Sequence, residues 1–453
     1  MPATVTLEEL KEAVKRGEVD TVITAIPDMQ GRLMGKRFQA EFFVEQAWKE
    51  THSCNYLLAT DMEMETVSGY ASTSWESGYG DYIMKPDLST LTLLPWAEGT
   101  AYVLCDLLDH HYHPVPHSPR AILQKQLERL NALGFKSAMA TELEFFVFKE
   151  SFEELREKGY RELTTISEYN EDYHLFQTAK EESLMRKIRK GLQGAGIRVE
   201  NTKGEASAGQ AEINVYYTDA LTAADNHVLM KQAIKEIAFQ EGRAITFMAK
   251  WAGDAAGSSS HIHQSLFRGD SNAFYDESAE NSMSVTMKQY LAGLLKYSAD
   301  ITLCLAPYVN SYKRFVEGTF APTRSVWSVD NRTAGYRVVA PETRGVRIEC
   351  RIGGSDLNPY LAAAASIAAG LAGIEENLEL EPEFKGDAYM ATDVPRIPIN
   401  LPSAVEAFRN SKMLRTAFDD DVVDHYARAG EWEQEHFEKQ VTDYEVRRGL
   451  ERA

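Results

Sequence analysis

Two glutamates, Glu142 and Glu144, stand inside the apolar run TELEFFVF. On a strand, residues two apart project to one face. The neighbouring Phe145, Phe146 and Phe148 mark that strand as core rather than solvent-facing edge. Carboxylates sharing a buried face repel each other unless cations sit between them. Similar patterns recur downstream. Glu205 and Glu212 flank a small-residue turn in KGEASAGQAEINV, His261 and His263 alternate in GSSSHIHQSL, and Arg347, Glu349 and Arg351 alternate in RIECR. Five glutamates and a histidine make an oxygen-rich ligand set, which suits Mg²⁺ or Mn²⁺ better than zinc. Arginines crowd the same region: Arg314, Arg332, Arg337, Arg344, Arg347 and Arg351. Metal ligands beside arginine clamps are what phosphate and carboxylate recognition, and phosphoryl transfer, require. Neither a Walker A motif nor a kinase glycine loop is present, so the standard nucleotide folds are excluded.

These residues must be held by strands and helices in irregular order. The segments SAMATELEFFVF, GQAEINVYY, AITFMAKWA, SSHIHQSLF and GVRIECRI read as strands. Residues 223–243, 359–378 and the charged segment from Asp420 read as helices. Without strict alternation of the two, an α+β architecture is expected rather than a doubly wound sheet. Upstream, Thr6 and Glu9 have capping-box spacing and Gly17 closes a first helix. Strand–turn–strand follows around Pro27–Gly31, and another strand around Tyr102–Leu108. The proline- and histidine-rich run His110–Arg120 reads as a solvated linker, dividing the chain into domains 1–113 and 114–453.

Lys and Arg total 48 against 68 Asp and Glu, a net charge of −20 over 453 residues. That balance argues against nucleic acid and against a polybasic membrane anchor. Four scattered cysteines, Cys54, Cys105, Cys304 and Cys350, read as free thiols in a reducing cytoplasm. The run Pro359–Ile374 is too short to span a bilayer and reads as a buried helix.

The motifs ELEFF, GE-x6-GQAE-I, GSSSHIH-x-S, NSYKR, DNR and RIECR, in this order, resemble the glutamine synthetase family, class I type, over nearly the whole chain. The resemblance implies a small β-grasp N-terminal domain, a large α+β catalytic domain, and a homo-oligomer of stacked hexameric rings. It implies ATP as co-substrate and two to three Mg²⁺ or Mn²⁺ per site. One metal would be held by Glu144, Glu205 and Glu212, the other by Glu142, His261 and Glu349. Glu200, Tyr217, His263, Ser265, Arg344 and Arg347 match nucleotide-binding positions, and Gly257, Arg314 and Arg351 match the glutamate clamp. Arg332 and Arg337 match residues that stabilise phosphoryl transfer, with Glu205 also counted as catalytic.

The departures are informative. Family members that use ammonia carry a glutamate in the segment after NSYKR, and here that position is Phe320. A second ammonium ligand, an aspartate of the neighbouring subunit, falls at Ser68. A phenylalanine neither concentrates NH₄⁺ nor deprotonates it, but it gives an apolar wall and a cation–π face. The sequence is therefore similar to the subgroup that makes γ-glutamyl amides from polyamines, alkylamines or ethanolamine, with an ammonia-using glutamine synthetase as the alternative. Asp61, Glu63 and Glu65 alternate in TDMEMET; read as one acidic strand face, they favour a polyamine. Tyr389, followed by MATDVP, is not expected to be a nucleotidylated regulatory tyrosine.

Overall fold

The computed structural model describes residues 4–453. Its first helix, Leu7–Lys15, opens with the expected reciprocal cap. Thr6 Oγ1 accepts the Glu9 N–H at 3.2 Å, and Glu9 Oε2 accepts the Thr6 N–H at 2.7 Å. The helix packs on a small mixed sheet. That sheet runs β2 (Leu33–Gln39), β1 (Thr21–Pro27), β6 (Thr100–Leu108), β4 (Asp81–Pro86), β3 (Thr51–Cys54), with β5 (Thr92–Leu93) also on β6. The β1–β6 pair is parallel and β1–β2 antiparallel. This is the small β-grasp-type unit of the expected α+β fold.

A larger sheet follows, in the order β13 (Trp327–Val329), β14 (Tyr336–Val339), β15 (Arg347–Cys350), β11 (Ile262–Arg268), β7 (Lys136–Phe148), β9 (Gln210–Val215), β8 (Val199–Gly204). Short strands β10 (Ala244–Thr246) and β12 (Ser271–Asn272) pair with β7 and β11. The strand segments thus lie where the sequence puts them. AITFMAKWA is the exception, because only Ala244–Thr246 pairs. Thr246 Oγ1 then takes the Met248 N–H and Asn310 Oδ1 takes the Lys250 N–H, so side chains replace the ladder.

Behind the large sheet lies the helix Pro359–Glu375, buried along Pro359–Gly373. Its alanines and glycines let the helix Val285–Lys296 approach closely. A Cβ on Gly293 would sit 2.1 Å from the Ala369 carbonyl, and one on Gly370 would strike the Tyr290 ring. No helix of the described residues is long and apolar enough to cross a membrane, and all four cysteines are free.

Two sequence expectations need correction. The run His110–Arg120 is only half solvated: His110, His111 and His113 are exposed, but His117 through Arg120 are buried. Pro119 starts the helix Pro119–Ala132, and Arg120 is drawn inward by Asp87, Asp106 and Asp225 at 2.7, 2.5 and 3.0 Å. His117 sits 3.2 Å from the Tyr82 hydroxyl, and its ring lies 4.5 Å from that of His425, which in turn stacks on Tyr70. The acidic alternation at 61–65 is not a strand face at all. Asp61 is buried in a turn, where its carboxylate accepts the Glu63 and Glu65 N–H groups and the Trp432 indole N–H. A turn explains the spacing because one aspartate serves two following amides.

The histidine knot ties the small sheet to the C-terminal helix Asp420–Glu438 and sets an acid limit on the fold. Burial pushes His117 down to about 4 and His425 well below the usual histidine range. Between those values and ~6.5 the unfolded chain binds protons that the folded chain refuses, so stability rises with pH and is lost on acidification. A shift of that size at His117 is worth about 3 kcal/mol by pH 4. Thermal melts from pH 7 to 4.5 should show the midpoint falling, and His117→Gln should flatten that fall. An unchanged slope in the variant would mean that other groups set the acid limit.

Candidate active site

The site is written on the central strands of the large sheet. Antiparallel register places Glu144 of β7 opposite Glu212 of β9. The β8–β9 turn swings Glu205 to the same place and closes with Glu205 N–H on the Gln210 carbonyl at 2.7 Å. On the other side β11 aligns with β7, and β15 with β11, so His263 pairs with Glu349. Alternation then points Glu142, His261 and Glu349 to one spot. Two triads result, Glu144–Glu205–Glu212 and Glu142–His261–Glu349, each with ligand atoms within 4.8 Å of one another.

The triads differ electrostatically. Glu144 and Glu212 are buried against other acids. Burial, then Glu205 and Glu212, raises Glu144 well above the usual carboxylate range, while burial, Glu142 and Glu205 push Glu212 up to about 8. Like charges left unneutralised at this separation fit a divalent cation, as does the all-carboxylate donor set. In the second triad, burial also works upward on Glu142, but hydrogen bonds from His261 Nδ1 at 2.8 Å and His263 Nε2 at 2.7 Å outweigh it. Arg351 at 2.6 Å, with the histidines, similarly overcomes burial and holds Glu349 near 2. Carboxylates raised by mutual repulsion, the simple expectation for all of them, are thus confined to the first triad, because histidine and arginine serve the second.

Both triads open into one cavity of about 220 Å³, whose walls include Gly257, Arg314, Arg332, Arg337, Arg351 and Phe320. Arg337 bonds Glu349 at 3.0 Å and pairs closely with Asp330. Arg314 is buried and spends its N–H groups on the Arg351 and Ile352 carbonyls and Ser259 Oγ, whereas Arg351 Nε is buried without a partner. Arg351 is the better placed of the two to take a carboxylate. Gly257 has to be glycine, since a Cβ there would lie 2.5 Å from Arg314 Cγ.

A second cavity of about 330 Å³ is lined by Glu200, Tyr217, His263, Ser265, Arg344 and Arg347, the six residues read as nucleotide-binding. Tyr217 is exposed and lies nearly parallel to Phe267, with ring centres 6.4 Å apart. Glu142 lines both cavities. Ser68 does not belong to either. It is exposed, with its carbonyl on Arg428 Nε at 3.0 Å, and within one chain it is not brought to Phe320.

Sequence reasoning missed several supporting residues. Lys203 pairs closely with Glu205 and reaches Asp172 at 3.0 Å, Gln210 and the Ser259 N–H bond Glu144, and Asp172 and Tyr173 complete the rim. Lys203 was findable, at the end of β8 two residues before Glu205; Asp172 and Tyr173 carry no local signal.

Two acidic triads in one arginine-lined cavity, with Glu142 shared by a second cavity, fit a carbon–nitrogen ligase, the class to which the matching family and the relatives below belong. The chain belongs to the glutamine synthetase family: residues 116–449 match its catalytic domain, described as glutamine synthetase, catalytic domain. It is 46% identical to the gamma-glutamylethanolamide synthetase GlnA4 of Streptomyces coelicolor, over 98% of this chain and 96% of that one. It is 35% identical to the glutamate–isopropylamine ligase of a Pseudomonas species, over 98% and 97%. Among solved structures, that of apo GmaS without ligand superposes with a TM-score of 0.85 at 24% identity, covering 97% of this chain and 98% of that one, a likeness of fold.

The two triads should separate in a pH-dependent metal titration. Protons compete for Glu212 up to about pH 8 and Glu144 is also raised well above the usual carboxylate range, so Mn²⁺ binding there should release protons and tighten from pH 6.5 to 8.5. At the other triad, acids held low leave little to displace over that range. Calorimetry in buffers of different ionisation enthalpy should resolve a proton-releasing site lost in Glu212→Gln and a proton-silent one lost in Glu349→Gln. A single pH-independent class would contradict the assignment.

Proposed function

We propose that this protein is an ATP-dependent ligase that joins the γ-carboxylate of glutamate to an organic amine by way of γ-glutamyl phosphate. The observation that carries the amine is Phe320. Its ring stands 57% exposed at the rim of the cavity that holds both triads, where an ammonia-using enzyme needs an acid. The named activities of the two relatives, ethanolamide synthesis and isopropylamine ligation, support the same reading.

In this reading Arg351 and Arg314, beside Gly257, hold the amino-acid end of glutamate. The nucleotide lies along Tyr217, Ser265, Arg344 and Arg347, with Glu200 on its sugar side. Glu142, shared by the two cavities, marks where the γ-phosphate and the γ-carboxylate meet. Two to three Mg²⁺ or Mn²⁺ ions held by the triads would neutralise phosphate charge during transfer. Arg332 at the mouth and Arg337 on Glu349 face the oxygens on which charge develops. Glu205, paired with Lys203, is the acid we assign to the amine side. Stacked hexameric rings, a boundary at residues 113/114 and a cytoplasmic location belong to the same proposal, with Ser68 delivered to the amine pocket by the neighbouring subunit.

The acidic face that favoured a polyamine does not exist, since Asp61 is a buried turn residue. Small amines with an alkyl or hydroxyalkyl group are therefore preferred to polyamines. An apolar ring contributes about 1–2 kcal/mol to such a substituent. Phosphate release with ATP, Mg²⁺ and glutamate should favour the best organic amine over ammonium by at least ~10-fold in kcat/KM, about 1.4 kcal/mol of transition-state preference. Phe320→Glu should narrow that gap. Equal turnover of ammonium by the wild type would return the protein to the ammonia-using members.

A further inference from the structure

The loop that carries Phe320 is met from outside the cavity by a tyrosine, Tyr389. The loop leaves the buried Arg314 and returns at Arg324, and its returning stem is well fixed. Ser325 N–H bonds the Pro395 carbonyl at 2.9 Å, Ile397 N–H bonds that of Thr323, and the Arg324 guanidinium reaches the Ala391 and Tyr389 carbonyls. The tip, Gly318–Pro322, has much less. Among the described residues, the hydrogen bonding that reaches it from outside the loop comes from Tyr389, whose hydroxyl donates to the Ala321 carbonyl at 3.0 Å and lies by the Phe320 backbone N–H. That bond lands on the residue next to Phe320, whose backbone is left-handed at φ 59°. Bulky side chains avoid this region unless the surroundings hold them there.

We propose that Tyr389 is a positioning residue for amine selectivity, its hydroxyl fixing the loop tip so that the Phe320 ring stays at the mouth of the glutamate cavity. The inference rests on the glutamate–amine ligase reading and deepens it. Tyr389 is half-buried behind the loop, and the charges of Arg351 and Arg314 reach it, so it stands at the glutamate end of the cavity. Without the hydroxyl the tip loses its outside anchor, Phe320 is free to relax to an extended backbone, and its ring leaves the mouth. The glutamate-side Arg314 and Arg351 keep bonds of their own, to the Ile352 and Arg351 carbonyls and to Glu349, and the second cavity contains no residue of the loop, so those contacts are untouched.

The test is Tyr389→Phe, with Tyr389→Met as a second hydroxyl-free variant should the first melt early. KM for the preferred organic amine should rise about 5- to 10-fold while KM for glutamate and for ATP stays within about twofold. The preference for that amine over ammonium should shrink in step. In a Phe320→Ala background, adding Tyr389→Phe should change the amine KM by less than about twofold, because the two act through one contact. An unchanged amine KM, a common rise in all three constants, or losses that multiply in the double variant would each overturn the proposal while leaving the ligase reading intact. Wild-type protein that uses only ammonium would instead remove the reading and the inference together.

Discussion

Repulsion between carboxylates governs this structure. Glu144, Glu205 and Glu212 are held within 4.8 Å on a sheet whose other face is packed with phenylalanine, leucine and isoleucine. Left to itself such a set would drive the strands apart or fill with protons, and burial with mutual charge does hold Glu144 and Glu212 protonated far above the usual range. Everything around the triad counters that tendency. Antiparallel pairing on both sides of β7 removes backbone freedom, and the Ser259 amide and Gln210 amide donate to Glu144. The helix Ala220–Gln240 packs Leu229, Ala233, Ile234 and Ile237 into the cluster behind β7 and β9, which holds the strands against their own charge. The site is crowded electrostatically and rigid mechanically, as a preorganised binding cluster must be.

The neighbouring triad solves the same problem by different means. Histidine and arginine donors face Glu142 and Glu349, so these acids are ionised without help. A side-by-side pair of sites, one that must exchange protons and one that need not, arises from which residues β11 and β15 present to β7.

Much of this was legible in the sequence because strand alternation is a two-residue rule. Glu142 with Glu144, His261 with His263, and Arg347 with Glu349 each declare a shared face, and the phenylalanines after Glu144 declare it buried. The six residues read as nucleotide-binding also line one cavity. The same rule misled at Asp61, where a spacing of two reflects an aspartate capping successive amides in a turn rather than a strand. His117 and Arg120 were misjudged because their partners, His425 and Asp225, lie 308 and 105 residues away in the chain, beyond any local pattern. Asp172 and Tyr173 were invisible for the same reason, their rim position being set by tertiary packing against the β8–β9 turn.

Lys203 gives the first triad a character of its own. Its ammonium group sits on Glu205 and within reach of Asp172, inside the ring of acids, under the Tyr173 ring at 4.6 Å. A resident cation of this kind acts as ballast. A divalent ion bound there as proposed would meet a tethered charge already among the acids. That ammonium stays on its stalk between an aspartate and an aromatic face, at the rim where an incoming alkylammonium would itself have to stand. Under the proposed function, ion loading and amine entry would make opposing demands on one lysine, and the order in which they arrive would depend on its reach.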